Sequence, residues 1–292
     1  MSGFTADWLA LREHADARAR NGAIAEALAL ALTGRETLRI VDLGAGTGAN
    51  LRATAPFLPA DQHWHLLDHA PDLTGAARAA LAAWADEAVP TADGLRLVKD
   101  GRRITVTLVL TDLSRSLAAI GAAAPHLVTA SAFFDLVSAR FVEAFAAECA
   151  RLDTAFFTAL TCDGRDCWSP AHDDDDAIAA AFRADQERDK GFGPALGNAA
   201  TDRMETAFRT QGYGVRRGDS PWRLDPAADA RDAALVNALA EGTARAASAD
   251  GRMAADTCSA WAHARSAARC EIGHCDLLAV PRRWGGGATA AP

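Results

Sequence analysis

Three glycines, Gly44, Gly46 and Gly48, lie close together after an apolar run at residues 38–43. A helical pattern begins shortly after them, near Leu51. Glycine lets a backbone approach a ligand closely and adopts positive φ angles without strain. A helix N-terminus behind such a turn also offers N–H donors. The succession of strand, glycine turn and helix is the context in which glycine motifs bind cofactors.

Three acidic residues stand where they could contact a ligand bound at this turn. Asp42 lies two residues before the first glycine, Asp68 ends the next strand-like run, and Asp112 follows the apolar run at residues 104–110. A carboxylate at Asp42 could accept from an ammonium, directly or through water, but would repel a pyrophosphate. Asp68 could bind both hydroxyls of a ribose, and Asp112 could accept from an adenine amino group.

The glycines alone also fit a dinucleotide-binding motif. Gly44, Gly46 and Ala49 match the pattern G-x-G-x-x-A, and an acid at Asp68 would suit NAD equally well. An acid before the turn, a long helix before the first strand and an acid after the third strand favour S-adenosylmethionine instead. An NAD(P)-dependent oxidoreductase stays open as an alternative.

The turn at residues 42–48 with the two later acids resembles the class I S-adenosylmethionine-dependent methyltransferases. The resemblance covers residues 40–160 and a final strand near Ile272. It implies an α/β fold with a seven-stranded, mostly parallel Rossmann-like sheet in the order 3-2-1-4-5-7-6, whose last strand is antiparallel. The cofactor contacts expected from the motif and its neighbours are Asp42, Gly44, Ala45, Gly46, Gly48, Asp68, Asp112, Leu113 and Ser131.

Alternating strand and helix patterns predict the elements that position these residues. Asp100-Gly101 between two apolar runs predicts a hairpin. The expected parts are an N-terminal covering helix within residues 1–35, a cofactor-binding core at 36–161, a lid insertion at 162–211, sheet completion at 212–284 with a helical insertion at 227–269, and a disordered tail at 285–292.

The remaining candidate residues lie on the covering helix, predicted at residues 7–32, and around the lid. Among the arginines of this helix, Arg12 is chosen as the partner of the cofactor's methionine carboxylate, because guanidinium pairs with carboxylate bidentately. His172, in the lid, and Asp135, after the fourth strand, are candidate general bases. The acidic run at residues 173–176 predicts a helix start rather than a metal site.

Composition narrows the class of substrate and partner. The formal net charge of −8 disfavours nucleic acid, and charges interrupt every apolar stretch long enough to span a membrane. The absence of an N-terminal signal predicts a cytoplasmic protein. Neither C-x4-C pair among the six cysteines has standard zinc spacing, so no metal is expected. We expect a methyltransferase that modifies O, N or C of a small molecule; a non-catalytic S-adenosylmethionine-binding protein is a second alternative.

Overall fold

The computed structural model describes residues 4–249, 251 and 253–285. Most of the tail predicted to be disordered, from residue 286 onward, lies outside the described residues. Within the described part of the chain, no helix is long and apolar enough to cross a membrane.

A single ten-stranded sheet organises the molecule. Its strands are β1 (Thr37–Leu43), β2 (Asp61–Asp68), β3 (Glu87–Pro90), β4 (Gly94–Lys99), β5 (Arg102–Leu110), β6 (Leu127–Ser131), β7 (Ala155–Ser169), β8 (Tyr213–Asp219), β9 (Trp222–Leu224) and β10 (Arg269–Pro281). The order is β3-β4-β5-β2-β1-β6-β7-β10-β8, with β9 paired to β10. The five neighbouring strands β5-β2-β1-β6-β7 are parallel, whereas β10 runs antiparallel to β7 and β8.

The predicted strand order is confirmed. Strands β5-β2-β1-β6-β7-β10-β8 correspond to the order 3-2-1-4-5-7-6, with the last strand antiparallel. Three strands are additional to the seven expected: β3 and β4 extend the β5 edge as antiparallel neighbours, and β9 pairs with β10. The hairpin between β4 and β5 turns at Asp100 and Gly101, both with positive φ, as the Asp-Gly pair predicts.

Ten α-helices occur in the described residues: α1 (Ala6–Ala19), α2 (Gly22–Ala31), α3 (Ala49–Thr54), α4 (Pro71–Trp84), α5 (Ala118–Ala122), α6 (Ala139–Leu152), α7 (Asp175–Gln186), α8 (Ala200–Thr210), α9 (Ala230–Ser248) and α10 (Ala255–Arg265). Successive residues of β1 serve opposite faces of the sheet. Ile40 packs in the core beneath α2, α3 and α4, whereas Val41 packs in the core beneath α5, α6 and α8.

The N-terminal helix is broken, in contrast to the continuous helix expected at residues 7–32. Arg20 has an extended backbone with ψ of 137°, and Asn21 begins α2 by accepting the Ile24 N–H at 3.1 Å. The side chain of Asn21 thus offers the backbone a new helix start. The apolar spacing continues across this break, which explains why periodicity alone did not reveal it.

Strands β7 and β10 continue as a ribbon past the ends of the parallel strands. Helices α7, α9 and α10 pack on this ribbon and are called the cap below. The boundary expected after residue 161 falls inside β7, which continues to Ser169. The reason is that β7 pairs with β10 as far as Arg269, which supplies partners for its polar residues. A third apolar core joins this ribbon to α7, α9 and α10 and contains the buried ring of Trp261.

Candidate functional site

A cavity of about 1040 Å³ lies at the edge where parallel strands β1, β2, β5 and β6 end. Ligands of open α/β sheets bind at this edge. The volume is at the upper end of the range of roughly 300–1,000 Å³ typical of small-molecule sites. One face of α1 forms a wall, with Leu9, Arg12, Glu13, Asp16, Ala17 and Arg20 at helical spacing. The cavity is therefore bounded by the sheet below and by α1 on one side.

The glycine turn forms the floor of the cavity and is packed too tightly for larger residues. Gly44, Gly46 and Gly48 have φ angles of +60°, +55° and +75°. A Cβ at Gly44 would lie 2.8 Å from the Phe133 ring, and one at Gly46 would lie 2.9 Å from Leu9. Gly44, Ala45 and Gly46 line the cavity, whereas Gly48 stands behind it as the N-cap of α3.

Several N–H groups of the turn donate hydrogen bonds to acceptors within the protein. Ala45 donates to the Leu67 carbonyl at 3.1 Å, and Gly48 donates to the Ala45 carbonyl at 2.9 Å. Gly46 donates to Asp68 Oδ2 at 2.8 Å. The free N–H groups expected behind the turn are thus largely engaged, so the turn offers few donors to a phosphate.

Asp42 lies beneath the turn and does not line the cavity. It is fully buried, and Asn50 Nδ2 donates to its Oδ1 at 2.7 Å. Its Oδ2 is buried without a hydrogen-bond partner in the described residues. Burial raises the pKa of Asp42 to about 7. Asn50 itself lines the cavity, so it stands between this carboxyl group and a ligand.

Arg20 lines the cavity beside Asn50 and lacks a carboxylate contact in the described residues. Its Nη2 donates to Asn50 Oδ1 at 2.9 Å and its Nη1 to Thr54 Oγ1 at 3.3 Å. Its Nε is buried without a partner. Asn50 consequently links a buried carboxyl group to a guanidinium with an unused donor. Arg20 is one of the helix arginines passed over in favour of Arg12, and Asn50 is a cavity residue that the sequence reasoning missed.

The other predicted cofactor contacts line the cavity together: Asp68, Asp112, Leu113 and Ser131. The two oxygens of Asp68 accept from the N–H groups of Gly46 and Ala70, at 2.8 and 2.9 Å. Asp112 accepts from the Ser114 hydroxyl at 2.6 Å, a bond that holds its pKa below the ordinary value. Both side chains are therefore fixed as acceptors at the strand ends where the motif places them.

Arg12 lines the cavity, but its guanidinium is already paired. Its Nε and Nη2 donate to the two oxygens of Asp16, at 3.0 and 3.1 Å, and its Cζ lies 4.9 Å from the centre of the Trp222 ring. Trp222 also donates to Asp16 at 3.0 Å. A carboxylate partner on the same helix thus neutralises Arg12, and Arg20 is the better placed cation.

Neither candidate general base lies on the cavity wall. His172 precedes α7, where its Nδ1 accepts from the Asp174 N–H at 3.2 Å. Asp135 follows Phe134 in a short 3-10 turn, and its Oδ1 is buried without a partner in the described residues. Burial raises the pKa of Asp135 to about 6. His172 therefore takes part in a local turn, and Asp135 does not line the cavity although Phe133 and Leu136 on either side of it do.

Part of the segment predicted to form a lid lines the cavity. Residues 188–192 line it together with Asp185 at the end of α7. Phe192 packs edge-on against Phe133, with ring centres 5.6 Å apart. Lys190 and Arg188 each lie 3.2 Å from Asp185. Among the described residues, no three potential His, Cys, Asp or Glu ligands converge as a metal site.

Comparison with known proteins identifies the fold. No protein-family model matches the sequence, and no curated protein matches it. A cyclopropane-fatty-acyl-phospholipid synthase-like protein from Lactobacillus casei is 17% identical over 95% of this chain and 94% of its own, with a TM-score of 0.50. An S-adenosylmethionine-dependent methyltransferase from Geobacter sulfurreducens, crystallised with S-adenosylhomocysteine, is 14% identical over 97% and 100%, with a TM-score of 0.45.

A cyclopropane synthase from Mycobacterium tuberculosis is 12% identical over 88% of this chain and 83% of its own, with a TM-score of 0.47. At such identities, structural similarity defines the fold. The chain has a Rossmann-like α/β fold with the predicted strand order, similar to that of the Lactobacillus casei protein.

Proposed function

We propose that this chain is an S-adenosylmethionine-dependent methyltransferase acting on a small molecule. The observation that carries the proposal is the convergence of the glycine turn, Asp68 and Asp112 on one cavity covered by α1. The fold supports this proposal, since the three features occupy the ends of β1, β2 and β5 at the ligand-binding edge.

Each part of the cofactor has residues of matching chemistry. Asp68 binds the ribose hydroxyls, because a carboxylate oxygen can accept more than one hydrogen bond. Asp112 accepts from the adenine amino group, and Leu113 provides apolar contact. Arg20 and Asn50 hold the amino acid end, with Asp42 behind them as a buried acceptor. The unused Arg20 Nε is the donor that a ligand carboxylate would satisfy, and Asp42 holds Asn50 in place from beneath the site.

The same contacts disfavour the dinucleotide alternative. A pyrophosphate needs free N–H groups at the turn and a helix N-terminus behind it. Here the N–H groups of Ala45, Gly46 and Gly48 are engaged within the protein, and α3 has six residues. The antiparallel β10 also departs from the parallel order 3-2-1-4-5-6 of dinucleotide-binding domains.

When bound, S-adenosylmethionine supplies a methyl group activated on a sulfonium. The protein's contribution is to hold an acceptor in line and to exclude water, and well-oriented binding can by itself lower a barrier by several kcal/mol. Phe133, Leu136 and Phe192 supply the apolar wall against which an acceptor packs. The cavity volume leaves room for an acceptor next to the cofactor. The acceptor atom is oxygen, nitrogen or carbon.

Calorimetric titration tests the cofactor assignment. Purified protein should bind S-adenosylhomocysteine with micromolar affinity and should not bind NADH. Binding of NADH alone would refute the assignment. A methyl-transfer assay with a panel of small hydroxyl, amine and activated-carbon acceptors then separates an enzyme from a non-catalytic binding protein, which would bind S-adenosylhomocysteine without any acceptor-dependent turnover.

A further inference from the structure

Phe192 reaches the cavity from the loop that follows α7, residues 187–196. Its neighbours in sequence, Gly191 and Gly193, have φ angles of +107° and +85°, which L side chains rarely adopt. A Cβ at Gly193 would lie 3.4 Å from the Cβ of Ser138. The loop thus turns on both sides of Phe192 and lies against the start of α6.

Hydrogen bonds within the loop and to the sheet domain define the position of Phe192. Asp189 Oδ1 accepts from the N–H groups of both glycines, at 2.7 and 3.0 Å. The Leu196 N–H donates to the Val137 carbonyl at 2.9 Å, which fastens the end of the loop beside the segment that follows β6. Bonds from N–H groups to a carboxylate are stronger than those between neutral groups. Asp189 is therefore the side chain that shapes the turn carrying Phe192.

Phe192 forms a corner with two other aromatic rings. Its ring centre lies 5.6 Å from that of Phe133 and 4.9 Å from that of Phe141, with interplanar angles of 86° and 79°. The rings of Phe133 and Phe141 are themselves 6.0 Å apart at 67°. Edge-to-face pairs at such distances stabilise one another. Phe133 and Phe192 line the cavity, and Phe141 supports both rings from α6.

The corner between Phe133 and Phe192 lies next to the glycine turn. The Phe133 ring stands over the turn, where a Cβ at Gly44 would lie 2.8 Å from it. A flat ring that stacks on one of two perpendicular rings must meet the other edge-on, and both arrangements are favourable for aromatic pairs. A saturated ring system gains burial of its apolar surface but neither of these contacts. The corner therefore favours a planar aromatic ring over a saturated group of similar size.

We propose that the corner between Phe133 and Phe192 selects a methyl acceptor with a planar aromatic ring, and that Asp189 positions Phe192 for this selection. This inference rests on the proposed function, because it assigns the acceptor of that reaction. Phe192 is the specificity-determining residue of the pair, since Phe133 is packed against the glycine turn whereas Phe192 belongs to the loop. Asp189 acts on the acceptor through the backbone of the loop.

2-Naphthol and decahydro-2-naphthol test this preference, because they share a carbon skeleton and a hydroxyl group but only the first is planar and aromatic. With S-adenosylhomocysteine at saturation, calorimetry should show that 2-naphthol binds about tenfold more tightly. An ordinary apolar wall would favour the saturated molecule, which has more apolar surface to bury. Equal affinities, a preference for the saturated molecule, or binding of neither would overturn the inference and leave the proposed function standing. Failure of S-adenosylhomocysteine itself to bind would instead overturn the proposed function, and this inference with it.

Phe192→Leu tests the ring on the loop. It keeps an apolar side chain but removes one of the two aromatic contacts, so the preference for 2-naphthol should fall from about tenfold to about threefold. Phe57→Leu is the matched control, because Phe57 is 51% exposed in the turn after α3. This control should keep the tenfold preference. An undiminished preference in Phe192→Leu would refute the role of Phe192.

Asp189→Ala and Asp189→Asn test the positioning role. Alanine leaves the N–H groups of Gly191 and Gly193 without their acceptor, so this variant should lose the preference for 2-naphthol as Phe192→Leu does. Asparagine retains a side-chain oxygen that can accept both bonds, and it should restore most of the preference. Calorimetry with the same two molecules provides the measurement. Equal preference ratios in the two variants would show that Asp189 does not position Phe192.

Discussion

The carboxylates around the glycine turn differ in state because their surroundings differ. Asp42 is fully buried and has its pKa raised to about 7, whereas the Ser114 hydroxyl holds the pKa of Asp112 below its ordinary value. Asp68 is tied to two backbone N–H groups. Three acids that look alike in the sequence thus become a titrating acceptor beneath the site and two fixed acceptors on its wall.

Asp42→Asn should change how stability depends on pH. In the unfolded chain Asp42 titrates near 3.8, and in the folded protein near 7. Between these values the folded protein keeps a proton that the unfolded chain releases, so the contribution of Asp42 to stability is lost as pH rises from about 4 to about 7. As pH rises through that window, the free energy of unfolding of Asp42→Asn should increase relative to that of the unsubstituted protein by roughly 1.4 kcal/mol per pH unit. Urea unfolding at several pH values measures this.

Asp86→Asn is the control of opposite sign. Asp86 is exposed, and its hydrogen bond with Lys99 holds its pKa below the ordinary value. Its contribution to stability is present at neutral pH and is lost as pH falls through the lowered pKa. At neutral pH this variant should therefore have a lower free energy of unfolding than the unsubstituted protein, and the difference should shrink in acid. A gain for Asp42→Asn that did not grow between pH 4 and 7 would contradict its buried state.

Asp68→Asn should weaken binding of S-adenosylhomocysteine by about tenfold or more, because a charge-assisted acceptor on the cavity wall is lost. Asp61→Asn is the matched control: Asp61 begins the same strand β2, at the opposite edge of the sheet, where Arg103 donates to it at 2.8 Å. Calorimetry on both variants decides the point. Equal affinities for the two variants would remove Asp68 from the cofactor site.

For single residues, the sequence predicts where a side chain lies better than it predicts which groups that side chain contacts. The acids that end β2 and follow β5 lie on the cavity wall where the motif placed them. The choice of Arg12 ignores an ion pair within the helix. Asp16 stands four residues later on the same helix face, a spacing at which ion pairs form. The role of Arg20 depends on Asn50, which is brought beside it only by packing of α1 on α3.

At the scale of elements, the sequence predicts what periodicity and turn residues can encode. The core strands and the helices α4, α6, α7 and α8 follow those signals. The extension of β7 beyond Leu160 does not, because most of its residues after Thr161 are partly or fully exposed without a regular alternation, and they gain their partners from β10. Likewise β3 is a short, exposed edge strand ending in Pro90, and pairing with β4 is what makes it a strand.

Two glycine substitutions separate a required turn from an ordinary helix position. Gly46→Ala should weaken binding of S-adenosylhomocysteine and destabilise the protein by about 1 kcal/mol or more, because its φ is +55° and its Cβ would meet Leu9 at 2.9 Å. Gly75→Ala, in the exposed middle of α4 with no atom within 4 Å of the new Cβ, should stabilise by up to about 1 kcal/mol. Thermal unfolding and calorimetry measure both effects.

At the scale of the whole molecule, β7 and β10 belong to the sheet and to the cap at once. Cores on both faces of the sheet contain residues of β7 and β10, and the cap core contains Trp168 and Cys270 from the same two strands. Loss of packing in the cap should therefore be felt by the sheet domain. We expect cap and sheet domain to unfold in one transition.

Trp261→Ala tests this unity. Trp261 is 1% exposed, packs edge-on against Trp168 and donates to Asp175 Oδ1 at 2.7 Å. Its loss should cost about 3–5 kcal/mol, and denaturant curves from tryptophan fluorescence and far-ultraviolet circular dichroism should shift together. Trp261→Phe, which keeps most of the packing but loses the hydrogen bond, should cost less. A fluorescence transition that precedes the circular dichroism transition would show that the cap unfolds alone, since the sheet would then retain its secondary structure.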